Sequence, residues 1–353
     1  MSRAFGERLT IEPLTLADAG PGEVRVALAA VAVCHSDVSY ADGEWGGELP
    51  AVWGHEAAGT IVEVGADVGF AVGQRVVVTL IRSCGECHRC QRGAEIACTA
   101  SLDRASPLTD ADGREVGQGL RTAAFAEQVV VDASQVVPFD DEIPMTSASL
   151  LACGVITGVG AVLNTAKVEP GSSVVVLGCG GVGLNVVQGA ALAGASPIIA
   201  VDPQESKHDL AIHLGATHAV SPADLQALVT ELTGGLLADY VFVATGAPTA
   251  LASAPVLAGA MSAIVIVGMP PTGVTGQFDP GSLAGENQRI LGSKMGTSVI
   301  ARDIPALVTR YLDGELELDD LVSRTFPLEQ INEAMDEVRK GTALRNVIVF
   351  DDA

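Results

Sequence analysis

Along the first half of the chain, apolar and polar positions alternate in short runs. Glu23, Val24, Arg25, Val26, Ala27 and Leu28 keep the period of two expected of a strand with one buried face. Residues 60–65 and 74–78, each beside glycine, and residues 125–131 predict further strands. This half therefore reads as an irregular, mostly β domain. From about Ser173 the pattern changes: Val174–Leu177 is a short, wholly apolar strand, residues 184–192 form a helix of small residues, and Ile198–Val201 is apolar again. Residues 207–214 are helical and stop at Gly215, a residue suited to the left-handed turn that ends helices. Residues 240–243 and 263–267 continue the series. Strand and helix in alternation predict a doubly wound parallel sheet. After about Thr297, Ile304, Leu307, Val308 and Tyr311 share one helical face. Leu328, Ile331, Met335 and Val338 share another, which Gly341 ends. A last strand, 346–350, closes the chain and is expected to return to the first domain.

A chain of 353 residues is too long for one core. The expected division is 1–155, 156–297, and a returning segment 298–353. Hydrophobic residues are 48% of the chain but aromatics only 4%, so the cores must be aliphatic. The net charge of −23 repels phosphate backbones and anionic lipid, which argues against nucleic acid and membrane surfaces as partners. Two uncharged stretches, 171–201 and 240–278, are as long as membrane spans. Gly178, Gly180, Gly183, Pro248, Pro255, Gly259 and Pro270 interrupt them, so buried strands and short helices are expected instead. No apolar run follows the charged start, so a cytoplasmic location is expected.

Gly178-Cys179-Gly180-Gly181-Val182-Gly183 fits G-x-G-x-x-G. The motif follows a predicted strand, opens a helix, and precedes a strand ending in Asp202, the context that makes it specific. The glycines admit a pyrophosphate to the helix N-terminus. Asp202 would accept bonds from the adenosine ribose hydroxyls and repel a 2′-phosphate, favouring NAD over NADP.

Seven cysteines are present, and Cys84, Cys87, Cys90 and Cys98 fall within fifteen residues. Four thiolates so spaced suit a closed tetrahedral structural zinc. An iron–sulfur cluster and free buried thiols are the alternatives. Cys34, His55 and Cys153 are potential ligands far apart in sequence. Two cysteines and one histidine with an open fourth position make a catalytic zinc set, though each could equally be a buried core residue, and spacing alone cannot bring them together.

The ordered set Cys34-His35-Ser36-Asp37, Gly54-His55-Glu56, the four-cysteine lobe, Cys153-Gly154 with Thr157, Gly178 to Gly183 with Asp202, and Leu344-Arg345 resembles the zinc-containing medium-chain alcohol dehydrogenases, close to their glutathione- and mycothiol-dependent formaldehyde dehydrogenase branch. The resemblance spans essentially the whole chain. It implies a Rossmann domain beside a mostly β, GroES-like catalytic domain, with NAD and two zinc ions per subunit, one catalytic and one structural. By resemblance, Cys34, His55 and Cys153 hold the catalytic zinc, Asp37 orients His55, and Glu56 stands behind the metal. Ser36 takes the alcohol proton, and Thr157 and Val182 pack on the nicotinamide. His35, Val267 and Met269 also belong to the cofactor site, Lys207 contacts the adenosine ribose, and Arg345 the pyrophosphate. Trp45, Leu80, Leu120 and Met269 line the substrate pocket with Ser36.

The sequence departs from this pattern in places. Ser39 stands where many relatives carry a histidine that passes the proton to solvent, so a weaker or water-mediated relay is expected. His35 replaces an arginine of some relatives, so NADH should leave faster. The carboxylates that some formaldehyde-linked relatives place near Gly43 and Trp45 are absent, which weakens the case for a glutathione adduct. A primary alcohol, aromatic or medium-chain, is the expected substrate. A thiol-dependent formaldehyde dehydrogenase, a structural protein on the same scaffold and a zinc-free quinone reductase are the competing readings. Residues 263–267, with Pro270-Pro271 after them, are expected to form a sheet edge that pairs between subunits in a dimer or tetramer.

Overall fold

The computed structural model describes residues 1–100, 104–139 and 142–350. It divides into two compact units, Met1–Cys153 with Val299–Ala353, and Gly154–Ser298.

In the first unit, β1 (Glu23–Val33) shows why the alternation matters. Its residues from Val24 to Ala30 are buried at every second position, and its last four residues are buried on both faces. The helix α1 (His35–Ala41) follows directly. β1 pairs antiparallel with β2 (Glu56–Val64), which pairs with β3 (Arg75–Val78). β4 (Gln128–Asp132) also pairs with β1, and β5 (Val136–Pro138) completes the β3 edge. The predicted strand at 125 begins later, at Gln128, because the Phe125 N–H donates instead to the Trp53 carbonyl and fixes the loop that carries His55.

In the second unit, six parallel strands form one sheet. They are β6 (Val174–Leu177), β7 (Ile198–Val201), β8 (His218–Val220), β9 (Ala238–Val243), β10 (Ala258–Ile266) and β11 (Arg289–Gly292), ordered β8-β7-β6-β9-β10-β11. All four residues of β6 and of β7 are buried, as sheets covered on both faces require. Each fully buried Val or Ile there contributes about 1.5–3 kcal/mol of transfer free energy. The helix α2 (Gly181–Leu192) starts four residues after β6. The uncharged stretches 171–201 and 240–278 supply strands and helices of this unit.

The expected edge at 263–267 is corrected here. β10 is interior, flanked by β9 and β11. The chain returns through the short helix Pro280–Gly285 and adds β11, whose four residues Arg289-Ile290-Leu291-Gly292 are too few and too mixed to read as a strand in sequence. The edge is therefore β11, with Ile290 42% exposed.

The returning segment supplies α3 (Ile300–Leu312), β12 (Val322–Phe326), α4 (Ile331–Arg339) and β13 (Arg345–Val349), and β13 pairs antiparallel with β1. Among the described residues one helical stretch, Met145–Ala166, is long and apolar enough to cross a membrane, and 89% of its apolar window is buried inside the protein. Within it, Leu151–Val155 widens into a π-turn that carries Cys153.

Candidate active site

The first unit brings Cys34, His55, Glu56 and Cys153 together, with their donor atoms all within 4.8 Å of one another. All four side chains are buried. They arrive from four places: the end of β1, the loop before β2, the first residue of β2, and the π-turn at Leu151–Val155. The resemblance implies this meeting, which spacing alone does not show; the pairing of β1 with β2 and the π-turn at Leu151–Val155 create it.

Asp37 organises the cluster. As the third residue of α1 its Oδ2 accepts from the Cys34 N–H at 3.0 Å, closing a capping box. Its Oδ1 accepts from the Gly54 N–H at 2.9 Å and from His55 Nδ1 at 3.0 Å. The Asp37 carboxylate can accept from Nδ1, which leaves Nε2 as the ring atom whose lone pair a metal would take; against the effect of burial, the same carboxylate holds the His55 pKa well above its ordinary value. That Nε2 is buried and has no hydrogen-bond partner. A buried, unpartnered lone pair costs on the order of 1–3 kcal/mol unless something binds it. Facing two cysteine sulfurs, it suits a cation, and a Cys2His set is what a catalytic zinc with an open position uses. Gly54 is required here: its φ is +97°, and a Cβ would lie 2.5 Å from the Phe125 nitrogen.

Burial pushes the Glu56 carboxyl up to about 8, against the pull of the Arg345 guanidinium. Arg345, expected at a pyrophosphate, is itself buried, and its Nε stands 3.4 Å from Glu56 Oε2. The Cys153 hydrogen bond and His55 hold the Cys34 thiol well below its ordinary value. Ser36 Oγ lies 3.7 Å from Cys34 Sγ, on the exposed-to-buried border of α1. His35, at the start of α1, is exposed.

Of the expected pocket residues in this unit, Trp45 sits edge-on to Tyr40 at 5.2 Å, and Tyr40 stacks on Trp53 at 5.3 Å. Leu80 is half-buried, and Leu120 is half-buried with a φ of +53°. Tyr40 and Trp53 were missed in sequence. Their spacing from Trp45 follows no helical or strand period, because α1 and the loop before β2 bring them together.

The four-cysteine lobe is closed. Sγ separations are 3.6 Å for Cys87–Cys90, 3.7 Å for Cys84–Cys98 and 3.9 Å for Cys87–Cys98. A tetrahedron with metal–sulfur bonds of about 2.3 Å has edges of about 3.8 Å. A multi-iron cluster would spread the thiolates over several ions and further apart.

In the second unit Gly178 has φ +98°, and a Cβ on Gly183 would lie 1.7 Å from the Gly178 carbonyl oxygen. Gly180, which caps α2, faces open space, and Gly181 and Val182 form its first turn. Asp202 accepts from the Cys179 N–H at 2.8 Å and the Gln204 N–H at 2.9 Å, with Lys207 Nζ at 3.6 Å. Thr157 and Val267 are buried, Thr157 Oγ1 lies 3.7 Å from Met295 Sδ, and Met269 is 60% exposed.

Residues 20–141 match the alcohol dehydrogenase GroES-like domain, and residues 181–312 the zinc-binding dehydrogenase domain. The chain is 35% identical to the NDMA-dependent alcohol dehydrogenase of Amycolatopsis methanolica, covering 98% of this chain and 96% of that protein. It is 32% identical to the S-(hydroxymethyl)glutathione dehydrogenase of Paracoccus denitrificans, over 98% and 97%. The crystal structure of an alcohol dehydrogenase zinc-binding domain protein from Burkholderia ambifaria superposes with a TM-score of 0.94 at 35% identity, covering 99% and 97% of the two chains. That of benzyl alcohol dehydrogenase from Acinetobacter calcoaceticus gives 0.88 at 33%, over 96% and 94%. The chain belongs to the zinc-containing medium-chain alcohol dehydrogenase family, with a GroES-like domain and a Rossmann domain. It is an oxidoreductase that oxidises alcohols.

Proposed function

We propose that this protein oxidises a primary alcohol, aromatic or medium-chain, to its aldehyde with NAD as hydride acceptor, and runs the reverse reaction. The observation that carries the reading is the buried Cys34–His55–Cys153 set with its unpartnered His55 Nε2, beside the Ser36 hydroxyl. These three side chains would hold a catalytic zinc, and Cys84, Cys87, Cys90 and Cys98 a structural one. When bound, the catalytic zinc supplies a Lewis acid that makes the alcohol proton acidic near neutral pH. NAD supplies the hydride acceptor.

The chain's own groups do the rest. Asp37 fixes the His55 ring and, through Cys34 N–H and Gly54 N–H, the backbone on both sides of it. Ser36 accepts the alcohol proton. Glu56 and Arg345 form a buried pair behind the ligands and keep water from that side. The open space at Gly180 and the N–H groups of the first turn of α2 would take the pyrophosphate. The Asp202 carboxylate would take the ribose hydroxyls, with Lys207 beside it, and favours NAD over its 2′-phosphate. Thr157, Val182, Val267, Met269, His35 and Arg345 remain the proposed further cofactor contacts, and Trp45, Leu80, Leu120, Met269 and Ser36 the proposed pocket lining.

Benzyl alcohol dehydrogenase among the similar structures and the Tyr40–Trp45–Trp53 wall favour an aromatic alcohol. Thiol-linked formaldehyde oxidation is the second reading, since the S-(hydroxymethyl)glutathione dehydrogenase is similar at full length. A homodimer would form through the edge strand β11, next to exposed Ile290, Phe278 and Val256. Seven cysteines without a disulfide fit a reducing, cytoplasmic setting.

The test is NADH formation by the purified protein with primary and secondary alcohols, and with formaldehyde in the presence and absence of glutathione or mycothiol. Turnover of free alcohols that a zinc chelator abolishes supports the proposal. Activity with formaldehyde and a thiol alone moves the protein to the second reading.

A further inference from the structure

Deprotonating an alcohol in a buried site leaves a proton that must reach water. Ser36 can accept it but is a hydroxyl and cannot keep it, so a second group must follow. Ser39 lies three residues further along α1, on the same helical face as Ser36, where Cβ atoms stand about 5–6 Å apart. Ser39 is only 2% exposed, and its Oγ donates to Glu44 Oε2 at 2.8 Å. Glu44 is exposed, and its own N–H donates to the Ser39 carbonyl at 2.9 Å, so the two residues are tied twice. A buried hydroxyl is thereby joined to a carboxylate standing in water.

We propose that Ser39 and Glu44 form the proton exit for alcohol oxidation, with Glu44 as the terminal acceptor. The inference rests on the alcohol-oxidising reading of the Cys34–His55–Cys153 site. In the forward direction the alcohol O–H bond breaks and its proton goes to Ser36 Oγ. Ser36 gives its own proton onward, through one water across the helical step, to Ser39 Oγ. Ser39 passes its proton to the Glu44 carboxylate, which becomes a carboxylic acid and then loses the proton to bulk base. The hydride leaves separately to the oxidised nicotinamide, so each hydroxyl ends as it began. The expected weaker or water-mediated relay at Ser39 would thus keep one water before Ser39 and a direct hydrogen bond after it. Glu44 stands between Gly43 and Trp45, so the expected lack of carboxylates near those residues holds only at the two positions themselves; it has no visible link to Ser39 in sequence because it lies past the end of α1, outside any helical period.

The neighbouring charges are already engaged. Asp42, just past the end of α1, is held by Arg339 of α4 at 2.7 and 3.0 Å, and Asp336 of α4 is paired with Arg339 and Arg8. Tyr40, the remaining titratable group on that turn, stacks on Trp53. Glu44 is the carboxylate bonded to the Ser39 hydroxyl.

The test uses the zinc-loaded full chain and its Glu44→Gln, Ser39→Ala and Glu44→Asp variants, with Glu48→Gln as an exposed-carboxylate control. Expected for Glu44→Gln and Ser39→Ala is a fall in kcat of about 10- to 100-fold, with little change in the KM for alcohol. The primary deuterium isotope effect should shrink, because proton departure now limits the rate. Stopped-flow proton release to an indicator dye, on mixing with NAD and trifluoroethanol, should slow by a similar factor while its amplitude stays the same. Formate added as a small carboxylate base should restore part of the rate, as should Glu44→Asp. A Glu44→Gln protein with unchanged kcat and proton-release rate overturns the exit route while leaving alcohol oxidation standing. A wild-type protein that oxidises no alcohol removes both readings together.

Discussion

His55 Nδ1 rests 3.0 Å from Asp37 Oδ1 with both side chains wholly sealed from water. Neither the ring tautomer nor its orientation is free to vary, so the direction in which Nε2 points is decided before any ion arrives. Removing that carboxylate should cost metal rather than fold. Asp37→Asn is expected to weaken catalytic-site zinc about 10- to 100-fold, measured by competition with a chromogenic chelator. The four-cysteine lobe should keep its ion, so total zinc falls from two per chain towards one.

The lobe should behave in the opposite sense. Cys84→Ser or Cys98→Ser breaks a closed set of sulfurs 3.6–3.9 Å apart. Elemental analysis should show one zinc lost, and the thermal midpoint should drop by several degrees, while the Cys34–His55–Cys153 set still titrates with one equivalent of zinc or cobalt.

Two glycines in one motif separate packing from ligand binding. An alanine Cβ at Gly183 would lie 1.7 Å from the Gly178 carbonyl, whereas at Gly180 nothing stands within 4 Å. Gly183→Ala should therefore lower the unfolding midpoint in the absence of any cofactor. Gly180→Ala should leave that midpoint alone and raise the dissociation constant for NADH by about tenfold, or about 1.4 kcal/mol. Equal behaviour of the two variants would sink the distinction.

Asp202 is held by two backbone N–H groups and faces Lys207. Asp202→Ala should raise the KM for NAD and improve kcat/KM for NADP, shifting the preference between them by at least about tenfold, or about 1.4 kcal/mol. Lys207 then becomes the phosphate contact, and adding Lys207→Ala should reverse the gain.

Cys179 gives a pH dependence with a definite sign. Burial, with Asp202 nearby, pushes its thiol up to about 12 from the usual 9.0. The folded protein keeps this proton where the unfolded chain has lost it. Stability is thus unaffected below pH 9 and declines as pH rises from there towards 12, by at most about 1.4 kcal/mol per pH unit. Cys179→Ala should flatten that decline relative to wild type in urea unfolding series.

The sequence carried the Rossmann unit well. The apolar runs of β6, β7 and β9 and the glycine motif are local signals, each complete within a dozen residues. Residues whose meaning lies in a partner were harder to read. Cys34, His55 and Cys153 had bland readings singly, and only pairing of β1 with β2 plus the π-turn at Leu151–Val155 brings them within reach of one ion. Arg345 reads as a pyrophosphate contact by resemblance, while its burial against Glu56 has no local signal in the sequence. The edge at β11 was missed because four mixed residues make no pattern, so β10 seemed to be outermost. Glu44 was passed over for the same reason as Tyr40 and Trp53: its partner is set by a loop conformation, which has no period.

Aromatic residues are scarce in this chain, yet both of its tryptophans, Trp45 and Trp53, flank a single tyrosine, Tyr40, at 5.2 and 5.3 Å. The intrinsic emission of all 353 residues, excited beyond tyrosine's absorption, consequently originates from one small neighbourhood. One of the two indoles is half-exposed and the other deeply enclosed. A colour shift in that light reports on this aromatic cluster of the first unit alone, and events there can be followed with no label attached.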